Sequence, residues 1–550
     1  MTSDRLWVLA RVIAVIAYIC VEVVLGATDT PTSDELRHLR DGATVLAAGS
    51  VAVNPEHPPL VKVLSALVLP SAGRRAALAV ATGDPMTADT RFCVSLRLVG
   101  KNLLLARLPA IIIASLGLVT FGSLFARRSA RLAFVSTLAL GAATPFLAHG
   151  HYVTTDVAPI TLGLLTVWAL ASFRGRWAVL LGGAFLGAFL LTKFSAPLVF
   201  PFLLAFAVLR WKGKKAAAVG IVSLILAFFV ETWAVRGMTR ADLTGLADRA
   251  FVHGGLGGPA PPSNPLARSS AAIIALSPPV AAYWIGFWDV AHRSSTAEWV
   301  DYWMGKVVSG PQPLYPIATL AFKDDLPFLL LALFGAIVSV RRRSLRLPTD
   351  TWLAVGGGLF YFGLACRSSL HLGIRYLLPL VVLLAGAAAM GFEGAGRTVR
   401  SFVLWPLLFL HLLTATLAFP YFTSSRNLLS RLFLPKDAAY DLSDDWGQDL
   451  GRFLKHHREP VVYLTFLPYR VRDWQELFPE LHPLPCATCT HILVDQVTLD
   501  LLAASTSPGR SPVARQALNS IRPLLTSVAA VCKEGRPIPI REPTLRLFSR

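Results

Sequence analysis

Eleven apolar segments divide this chain, and they constrain its fold more than any other feature. Each approaches the roughly 20 residues that a helix needs to cross a hydrocarbon core of about 30 Å. The predicted spans lie near residues 6–26, 103–126, 132–147, 157–173, 177–192, 195–209, 216–235, 322–340, 351–366, 376–391 and 401–419. Because helices satisfy their own backbone hydrogen bonds inside lipid, the sequence predicts an all-α polytopic membrane protein. Composition agrees, since 54% of residues are hydrophobic and only 15% are charged.

Basic residues in alternate loops predict the orientation of these spans. The loops hold 15 basic residues and one acid, Glu393. The basic residues are Arg127, Arg128, Arg131, Arg174, Arg176, Arg210, Lys212, Lys214, Lys215, Arg341, Arg342, Arg343, Arg346, Arg397 and Arg400. The positive-inside rule places them in the cytoplasm, with the N-terminus inside and the C-terminus outside. Topology and contact with anionic membrane lipids explain most of the net charge of +19, so nucleic acid is excluded as a partner.

The topology divides the chain into two parts. Residues 1–420 form a transmembrane domain with outer loops 28–102 and 236–321, and residues 421–550 form an extracytoplasmic tail. Short apolar runs at 461–464 and 491–494 predict strands, and 446–457 and 511–526 predict helices, so the tail is a small α/β domain. The spacing of Cys486 and Cys489 is compatible with a structural disulfide within the tail, for which Cys532 is a candidate partner, or with a metal or redox site, and the disulfide is favoured.

The acidic segment 441–450 of the tail has two readings. It could hold a cation or a sugar, or it could be a helix N-cap at Ser443 or Asp444 followed by first-turn acids. The capping account is favoured, because caps of this kind are common.

The first outer loop carries the most informative cluster of charges. An acidic pair, Asp34 and Glu35, precedes the segment 54–62, which combines Glu56, His57 and Lys62 around two prolines. Charges beside an apolar helix are costly unless they meet a charged ligand, so this loop predicts a site that handles a phosphate at the membrane surface.

Further charged residues follow at predicted outer ends of the spans. They are Arg107, Asp156, Lys193 and Arg375. Displacing a phosphate by a hydroxyl needs a carboxylate to accept the proton of the hydroxyl and cations to stabilise the negative charge on the leaving phosphate oxygens. Arginine grips two phosphate oxygens with its planar fork, whereas lysine acts as a point charge.

Each of these residues also has a structural alternative. Asp34 could cap a helix, and Glu35 could orient its neighbour or pair with Arg37. His57 could cap a helix N-terminus or contact a phosphate there. Asp156 could form an ion pair with a nearby arginine, and Arg107 and Arg375 could be interfacial side chains that reach toward water. The aromatic cluster at 283–288 is typical of a membrane-interface belt.

Several motifs, in order, resemble membrane glycosyltransferases of the GT-C type, which are related to protein O-mannosyltransferases and aminoarabinose transferases. The motifs are Asp34-Glu35, Glu56-His57-Pro58-Pro59-Leu60-Val61-Lys62, Arg107-Leu108-Pro109, Thr154-Thr155-Asp156, Lys193-Phe194-Ser195 and Gly373-Ile374-Arg375-Tyr376-Leu377-Leu378-Pro379. The resemblance covers roughly residues 1–420, and the tail segment 445–450 resembles one in bacterial members.

The resemblance implies an inverting transfer of a sugar from a polyprenyl-phosphate donor to an acceptor hydroxyl on the outer face. Asp34 would be the general base. From the residues themselves, Glu35 and Asp156 are added as candidate catalytic carboxylates, and for Asp156 the roles of second carboxylate, metal ligand and acceptor-positioning group stay open. His57, Lys62, Arg107, Lys193 and Arg375 would bind the donor phosphate. No nucleotide cofactor is implied, and a divalent cation is left open.

The resemblance also sets limits on the acceptor. The loop 236–321 is too short for the sugar-binding-like insert of the eukaryotic enzymes, which puts a protein acceptor in doubt. The acceptor is therefore open among protein, lipid and envelope glycan, and the expected location is the plasma (inner) membrane of a bacterium. The alternatives are a polytopic transporter or lipid flippase, or a non-catalytic homologue that binds sugar lipids.

Overall fold

The computed structural model describes the membrane part almost completely and the tail in pieces. The described residues are 3–79, 85–211, 213–252, 265–296, 300–304, 306–341, 349–433, 447–457, 459–464, 475, 477–482, 491–495, 498–499, 526, 536–538 and 545–549. The tail cysteines, the segment 441–446 and most of the predicted helix at 511–526 lie outside the described residues.

Helices account for all of the predicted spans. In chain order they are α1 (Ser3–Thr28), α2 (Ser33–Ala48), α3 (Leu60–Leu67), α4 (Ser71–Ala79), α5 (Pro85–Ser95), α6 (Gly100–Ala126), α7 (Ala130–Gly141), α8 (Thr144–His149), α9 (Val157–Ser172), α10 (Gly175–Leu190), α11 (Ala196–Arg210), α12 (Lys214–Ala234), α13 (Arg240–Val252), α14 (Pro265–Leu276), α15 (Pro278–Ser295), α16 (Tyr315–Lys323), α17 (Leu326–Arg341), α18 (Thr349–Arg367), α19 (Leu378–Gly394), α20 (Arg397–Val399), α21 (Trp405–Ala418), α22 (Leu428–Phe433) and α23 (Leu450–His456). A 3₁₀ turn, Ile374–Leu377, precedes α19, and a π-helical turn, Arg400–Leu404, joins α20 to α21.

The predicted all-α membrane class is confirmed. Among the described residues, five helical segments are long and apolar enough to cross a membrane, and five further apolar helices are shorter. Two predicted spans are not continuous. Residues 132–147 fall on α7 and α8, which are separated at Ala142 and Ala143, and residues 322–340 begin at the end of α16 and continue in α17 after a break at Asp324 and Asp325. The number of crossings and the orientation of the chain stay predictions.

The membrane helices pack through small residues. The largest apolar core joins α1, α6, α7, α9, α17, α19 and α21. Gly335 of α17 lies so close to the backbone of Ala387 in α19 that a methyl group there would collide with it. Small residues allow such close approach, which drives helix association where lipid is as apolar as the side chains.

The segment 28–102, which the sequence predicts to be the first outer loop, folds into helices, and the first of them starts at a defined cap. Thr32 is the N-cap of α2 and forms a capping box with Glu35, so the structural alternative that Asp34 caps this helix is wrong. Helix α2 ends at Gly49, which adopts a φ of 65° that favours glycine. The face of α2 that carries Asp34, His38 and Asp41 follows helical spacing.

Two β-structures complete the fold. Strands β1 (Val300–Trp303) and β2 (Lys306–Ser309) form an antiparallel hairpin in the second outer loop. The tail contains β3 (Val461–Leu464), β4 (Leu481–His482), β5 (His491–Asp495), β6 (Arg536–Ile538) and β7 (Leu545–Ser549) in the order β4-β3-β5-β7-β6. Strand β3 is parallel to β4 and β5, whereas β7 is antiparallel to β5 and β6. Both predicted tail strands are therefore present.

The tail packs directly against the first outer loop. One apolar cluster contains Leu36 and Leu39 of α2 together with Phe453 of α23 and Leu493 of β5. The tail also bonds to the end of α1, because the backbone N–H of Thr30 donates to the carbonyl oxygen of Gln448 at 3.0 Å. The two parts of the chain thus share a core.

An ion-pair chain reinforces this junction. The carboxylate of Asp29 pairs with the guanidinium of Arg452, which also contacts Asp449 at 2.6 Å. The imidazole of His151 lies between Asp29, at 3.2 Å, and Glu22, at 2.9 Å. Asp449 occupies the N-cap position of α23, which begins at Leu450, so the predicted start of this helix at residue 446 is wrong. The predicted cap residues, Ser443 and Asp444, lie outside the described residues.

Candidate active site

A cavity of about 230 Å³ opens where the loops that join the membrane helices converge. It is lined by Ser33, Asp34, Arg37, His38, Asn54, Glu56, His57, Thr154, Thr155, Asp156, Lys193, Val290, Arg293, Leu370, Leu372, Arg375 and Tyr376. The lining comes from distant parts of the sequence, namely the start of α2, the segment before α3, the turns before α9 and α11, the end of α15 and the turn before α19. Five of the eight predicted site residues, Asp34, His57, Asp156, Lys193 and Arg375, are among them.

Two carboxylates and two cations alternate in this cavity. The guanidinium Nη1 of Arg375 lies 2.5 Å from Oδ2 of Asp34 and 3.7 Å from Oδ2 of Asp156. The ammonium Nζ of Lys193 lies 2.6 Å from Oδ1 of Asp156 and 3.9 Å from the ring centre of Tyr376. The side chain of Asp34 is 37% exposed, whereas that of Asp156 is 3% exposed. Asp34 is therefore the carboxylate that a molecule in the cavity can reach more easily.

The cations keep both carboxylates ionised. Burial alone would raise the pKa of Asp34, but Arg375 and then His38 outweigh burial and lower that pKa below its ordinary value. Burial would also raise the pKa of Asp156, but the neighbouring cations Lys193 and Arg375 outweigh burial and lower that pKa below its ordinary value. Both groups are thus negatively charged at neutral pH, and Asp34 is ready to accept a proton, although its pairing with Arg375 makes it a weak base.

Two histidines of the cavity, His38 and His57, lie in contact with each other. Their rings meet edge to face, with the centres of His38 and His57 5.4 Å apart. Burial lowers the pKa of both imidazoles, and their positive neighbours add to the effect at His57. His57 is therefore neutral at pH 7, so any contact that it makes with a phosphate is a hydrogen bond. Its Nδ1 and the hydroxyl of Thr154 are buried and have no hydrogen-bond partner among the described residues.

The structure does not bring Arg107 and Glu35 into the cavity. Both side chains are fully buried, and Nη2 of Arg107 lies 2.6 Å from Oε2 of Glu35. The other N–H groups of Arg107 donate to Oε1 of Glu35 and to three backbone carbonyls, those of Gly26, Asp29 and Thr30. All five donors of the guanidinium are thus engaged, which leaves none for a phosphate.

The carboxylate of Glu35 is likewise occupied by hydrogen bonds within the protein. Besides Arg107, its carboxylate accepts hydrogen bonds from the backbone N–H groups of Thr32 and Val153, both at 2.9 Å. The suggested pairing of Glu35 with Arg37 is wrong, because Arg37 contacts Asp89 and Glu56 instead. The geometry gives Glu35 and Arg107 the role of joining the end of α1, the start of α2 and the turn before α9.

Lys62 is also held away from the cavity. Its ammonium lies 2.6 Å from Oδ2 of Asp41, and neither side chain is exposed. It also donates to the carbonyl oxygens of Asn54 and His57, each at 2.7 Å. Each of the three N–H groups of the ammonium therefore has an acceptor. Lys62 holds the segment that carries His57 in place, and it does not line the cavity.

A second set of charges, formed by Arg37, Glu56 and Arg293, also lines the cavity. Glu56 accepts a hydrogen bond from Nη1 of Arg293 at 2.9 Å and lies 3.6 Å from Nη1 of Arg37. Arg293 also contacts Asp289, one helical turn earlier in α15. Glu56 stood within the recognised motif, but no local pattern in the sequence pointed to Arg293, which contacts Glu56 only through the tertiary fold.

A signal for two other missed residues was present. His38 and Asp41 follow Asp34 at spacings of four and three, which puts all three on one face of a helix. That face predicts that His38 accompanies Asp34 and that Asp41 is available to pair with Lys62.

Comparisons with known proteins give only structural neighbours. No protein-family model and no curated protein matches the chain. The structure is similar to the crystal structure of ArnT from Cupriavidus metallidurans bound to undecaprenyl phosphate, at 12% identity and a TM-score of 0.46. It is also similar to ArnT from the same organism in the apo state, at 15% identity and a TM-score of 0.43. Each match covers 98% of this chain and 97% of the other.

With identities of 12% and 15%, the likeness carries over no activity to this chain. What the chain does depends on its own side chains.

Proposed function

We propose that this protein is a membrane glycosyltransferase that moves a sugar from a polyprenyl-phosphate donor to an acceptor hydroxyl, with inversion and with Asp34 as the general base. The observation that carries the proposal is the contact of 2.5 Å between Asp34 and Arg375 in one cavity. It places a reachable carboxylate beside a cation with the geometry that grips phosphate. Arg375 lies in the turn that precedes the apolar helix α19, at a helix end where the phosphate of a lipid donor would sit, and Asp34 reaches it from the first turn of α2.

The reaction needs only groups that the cavity provides. The acceptor oxygen attacks the anomeric carbon, the bond from that carbon to the phosphate oxygen breaks, and its electron pair stays on the polyprenyl phosphate. The proton of the acceptor hydroxyl passes to Oδ2 of Asp34. Arg375 and Lys193 stabilise the negative charge on the leaving phosphate, a contribution worth roughly 3 kcal/mol for one well-placed donor.

The donor itself would activate Asp34. In the free cavity Arg375 is shared between Asp34 and Asp156. A phosphate that draws Arg375 away removes the cation that lowers the pKa of Asp34, so the carboxylate becomes a stronger base once the donor is bound. Asp156 would stay ionised through Lys193 and keep that ammonium in place.

The chemistry leaves the acceptor open among protein, lipid and envelope glycan. The location that fits a polyprenyl-phosphate donor and the basic loops is a bacterial plasma membrane, with the cavity on the extracytoplasmic face. Two of these basic regions lie close together, because Arg128 pairs at 2.6 Å with Glu393 near the end of α19, the helix whose start follows Arg375 of the cavity.

A transporter or flippase is less consistent with this arrangement. Such proteins place coupling charges near the bilayer midplane on interrupted helices. Asp34, Asp156, Lys193 and Arg375 instead lie in connecting turns or in the first turn of a helix.

The test separates transfer from transport. Proteoliposomes receive a polyprenyl-phosphate donor with a labelled sugar and an envelope extract as acceptor. A transferase converts the label into a product distinct from the donor, whereas a flippase moves the donor unchanged between leaflets. Arg375→Gln and Lys193→Gln should each lower transfer about a hundredfold.

Lys101→Gln is the matched control, because Lys101 is exposed at the start of α6 and lies outside the cavity. If every donor tried moves intact between leaflets and no labelled product forms, the protein is a transporter and the proposal of a transferase is wrong.

A further inference from the structure

Three side chains that can bind metal converge in the tail. His457 follows the end of α23, Glu459 lies in the connection to β3, and His491 opens β5. The candidate ligand atoms of all three lie within 4.8 Å of one another. Nδ1 of His491 is 3.2 Å from Oε2 of Glu459, and the two imidazole rings meet edge to face with centres 5.4 Å apart. None of the three lines the cavity described above.

The donor set and its spacing suit a transition metal. Two imidazoles and one carboxylate form a donor set that zinc uses with a water molecule in the fourth position. Ligand atoms around a tetrahedral zinc ion lie roughly 3.4 Å apart, given bonds of about 2.0–2.2 Å. The observed separations therefore need only a small inward movement of the side chains.

A buried nitrogen gives a second, independent indication of a ligand. Nε2 of His457 is shielded from solvent and has no hydrogen-bond partner among the described residues. Buried polar atoms are costly when they are unsatisfied, and each one in a native protein calls for a partner. One face of the His457 ring stacks on the ring of Phe453, with ring centres 4.9 Å apart, and this contact fixes the orientation of the imidazole.

We propose that His457, Glu459 and His491 bind one Zn²⁺ ion. Nε2 of His457, a carboxylate oxygen of Glu459 and Nδ1 of His491 are the ligands. Glu459 is 66% exposed, so the ion enters from solvent on that side.

The ion would join two elements of the tail. Helix α23 carries Arg452, which pairs with Asp29 directly after α1, and β5 lies at the centre of the tail sheet. A metal bond from His457 to His491 therefore fastens the sheet to the helix that attaches the tail to the membrane part. This role is structural and does not depend on the proposed transfer reaction.

The test measures zinc binding by the full chain in detergent. The protein is treated with a chelator, dialysed, and titrated with Zn²⁺ against a chromogenic chelator, and X-ray absorption spectroscopy then identifies the ligand atoms. We expect one tight site per chain, with nitrogen and oxygen neighbours at about 2.0–2.2 Å. Even residues that only orient metal ligands change affinity by roughly 10–100-fold, so His457→Gln and His491→Gln should weaken binding at least that much.

Two further variants keep the result interpretable. Glu459→Gln alters only an exposed side chain, so it should fold normally and still weaken binding. His456→Gln is the matched control, because this neighbouring histidine is exposed and should leave the affinity unchanged. Absence of a tight site in the wild type would overturn the proposal. Sulfur neighbours, with binding lost in Cys486→Ser/Cys489→Ser and retained in His457→Gln, would overturn it as well.

Discussion

Replacing Glu35 by glutamine tests whether the Arg107–Glu35 pair holds the fold together. The substitution keeps the size of the side chain but removes the charge that neutralises Arg107. Both side chains are fully buried, and the two atoms lie 2.6 Å apart. The guanidinium would then remain as an uncompensated charge in the interior.

The expected magnitude follows from burial. Removing one partner of a buried ion pair typically costs about 3–5 kcal/mol, which is a factor of roughly 100 or more in the unfolding equilibrium. The chain offers a matched control, since Arg128 and Glu393 form a pair with the same separation of 2.6 Å but with side chains that are 33% and 32% exposed. Glu393→Gln should cost only about 0.2–1 kcal/mol.

The assay is the rate of thermal unfolding in detergent, followed by intrinsic fluorescence at a fixed temperature. We expect Glu35→Gln to unfold much faster than wild type and Glu393→Gln to unfold almost as slowly. Arg107 and backbone N–H groups lower the pKa of Glu35 despite its burial, so its stabilisation is present above the ordinary glutamate range and is lost as pH falls. The difference from wild type should therefore narrow below about pH 4. Equal effects of the two substitutions at neutral pH would refute the reasoning.

Three further predictions concern the other parts of the account. If the donor draws Arg375 away from Asp34, the pKa of Asp34 rises on binding, so the acid limb of kcat should lie at higher pH than that of kcat/KM; coincident limbs would contradict this step. Lys62→Met leaves the carboxylate of Asp41 buried without its cation, so the free energy of unfolding should fall by roughly 3 kcal/mol or more in thermal unfolding. If Lys62 instead only bound the donor phosphate, the substitution would change KM and leave stability unaltered. A side chain at Gly451 would collide with Thr30, since even a methyl group would lie 2.7 Å from its hydroxyl. Gly451→Val should therefore loosen the tail and speed its removal in limited proteolysis, and an unchanged cleavage rate would show that the junction does not hold the tail.

The membrane helices could be predicted from the sequence because apolar length is a local property. The break between α7 and α8 was missed, since the residues at the break are alanines that fit either a continuous or an interrupted helix. The hydrophobic pattern also predicted β3 and β5, but it did not show that the tail would share a core with α2.

The sequence predicted the site residues that the helix connections bring to one side of the bundle, but not the residues whose partners are buried between helices. Asp34, Asp156, Lys193 and Arg375 come together across up to 341 positions of sequence, as the motifs and the topology suggested. Arg107 and Lys62 were assigned to the phosphate because a sequence shows the charge of a residue and not its partner. Glu35 lies 72 positions from Arg107, and only the fold reveals that each satisfies the other.

The central claim is tested most directly by transfer from a labelled polyprenyl-phosphate sugar with Asp34→Asn, compared with wild type and with the control Asp4→Asn. Asp4 is exposed in the first turn of α1, so its substitution should leave transfer unchanged. We expect Asp34→Asn to bind the donor but to lose transfer by a hundredfold or more, about the effect of removing one well-placed catalytic group. Transfer by Asp34→Asn at the wild-type rate would contradict the assignment of Asp34 as the base.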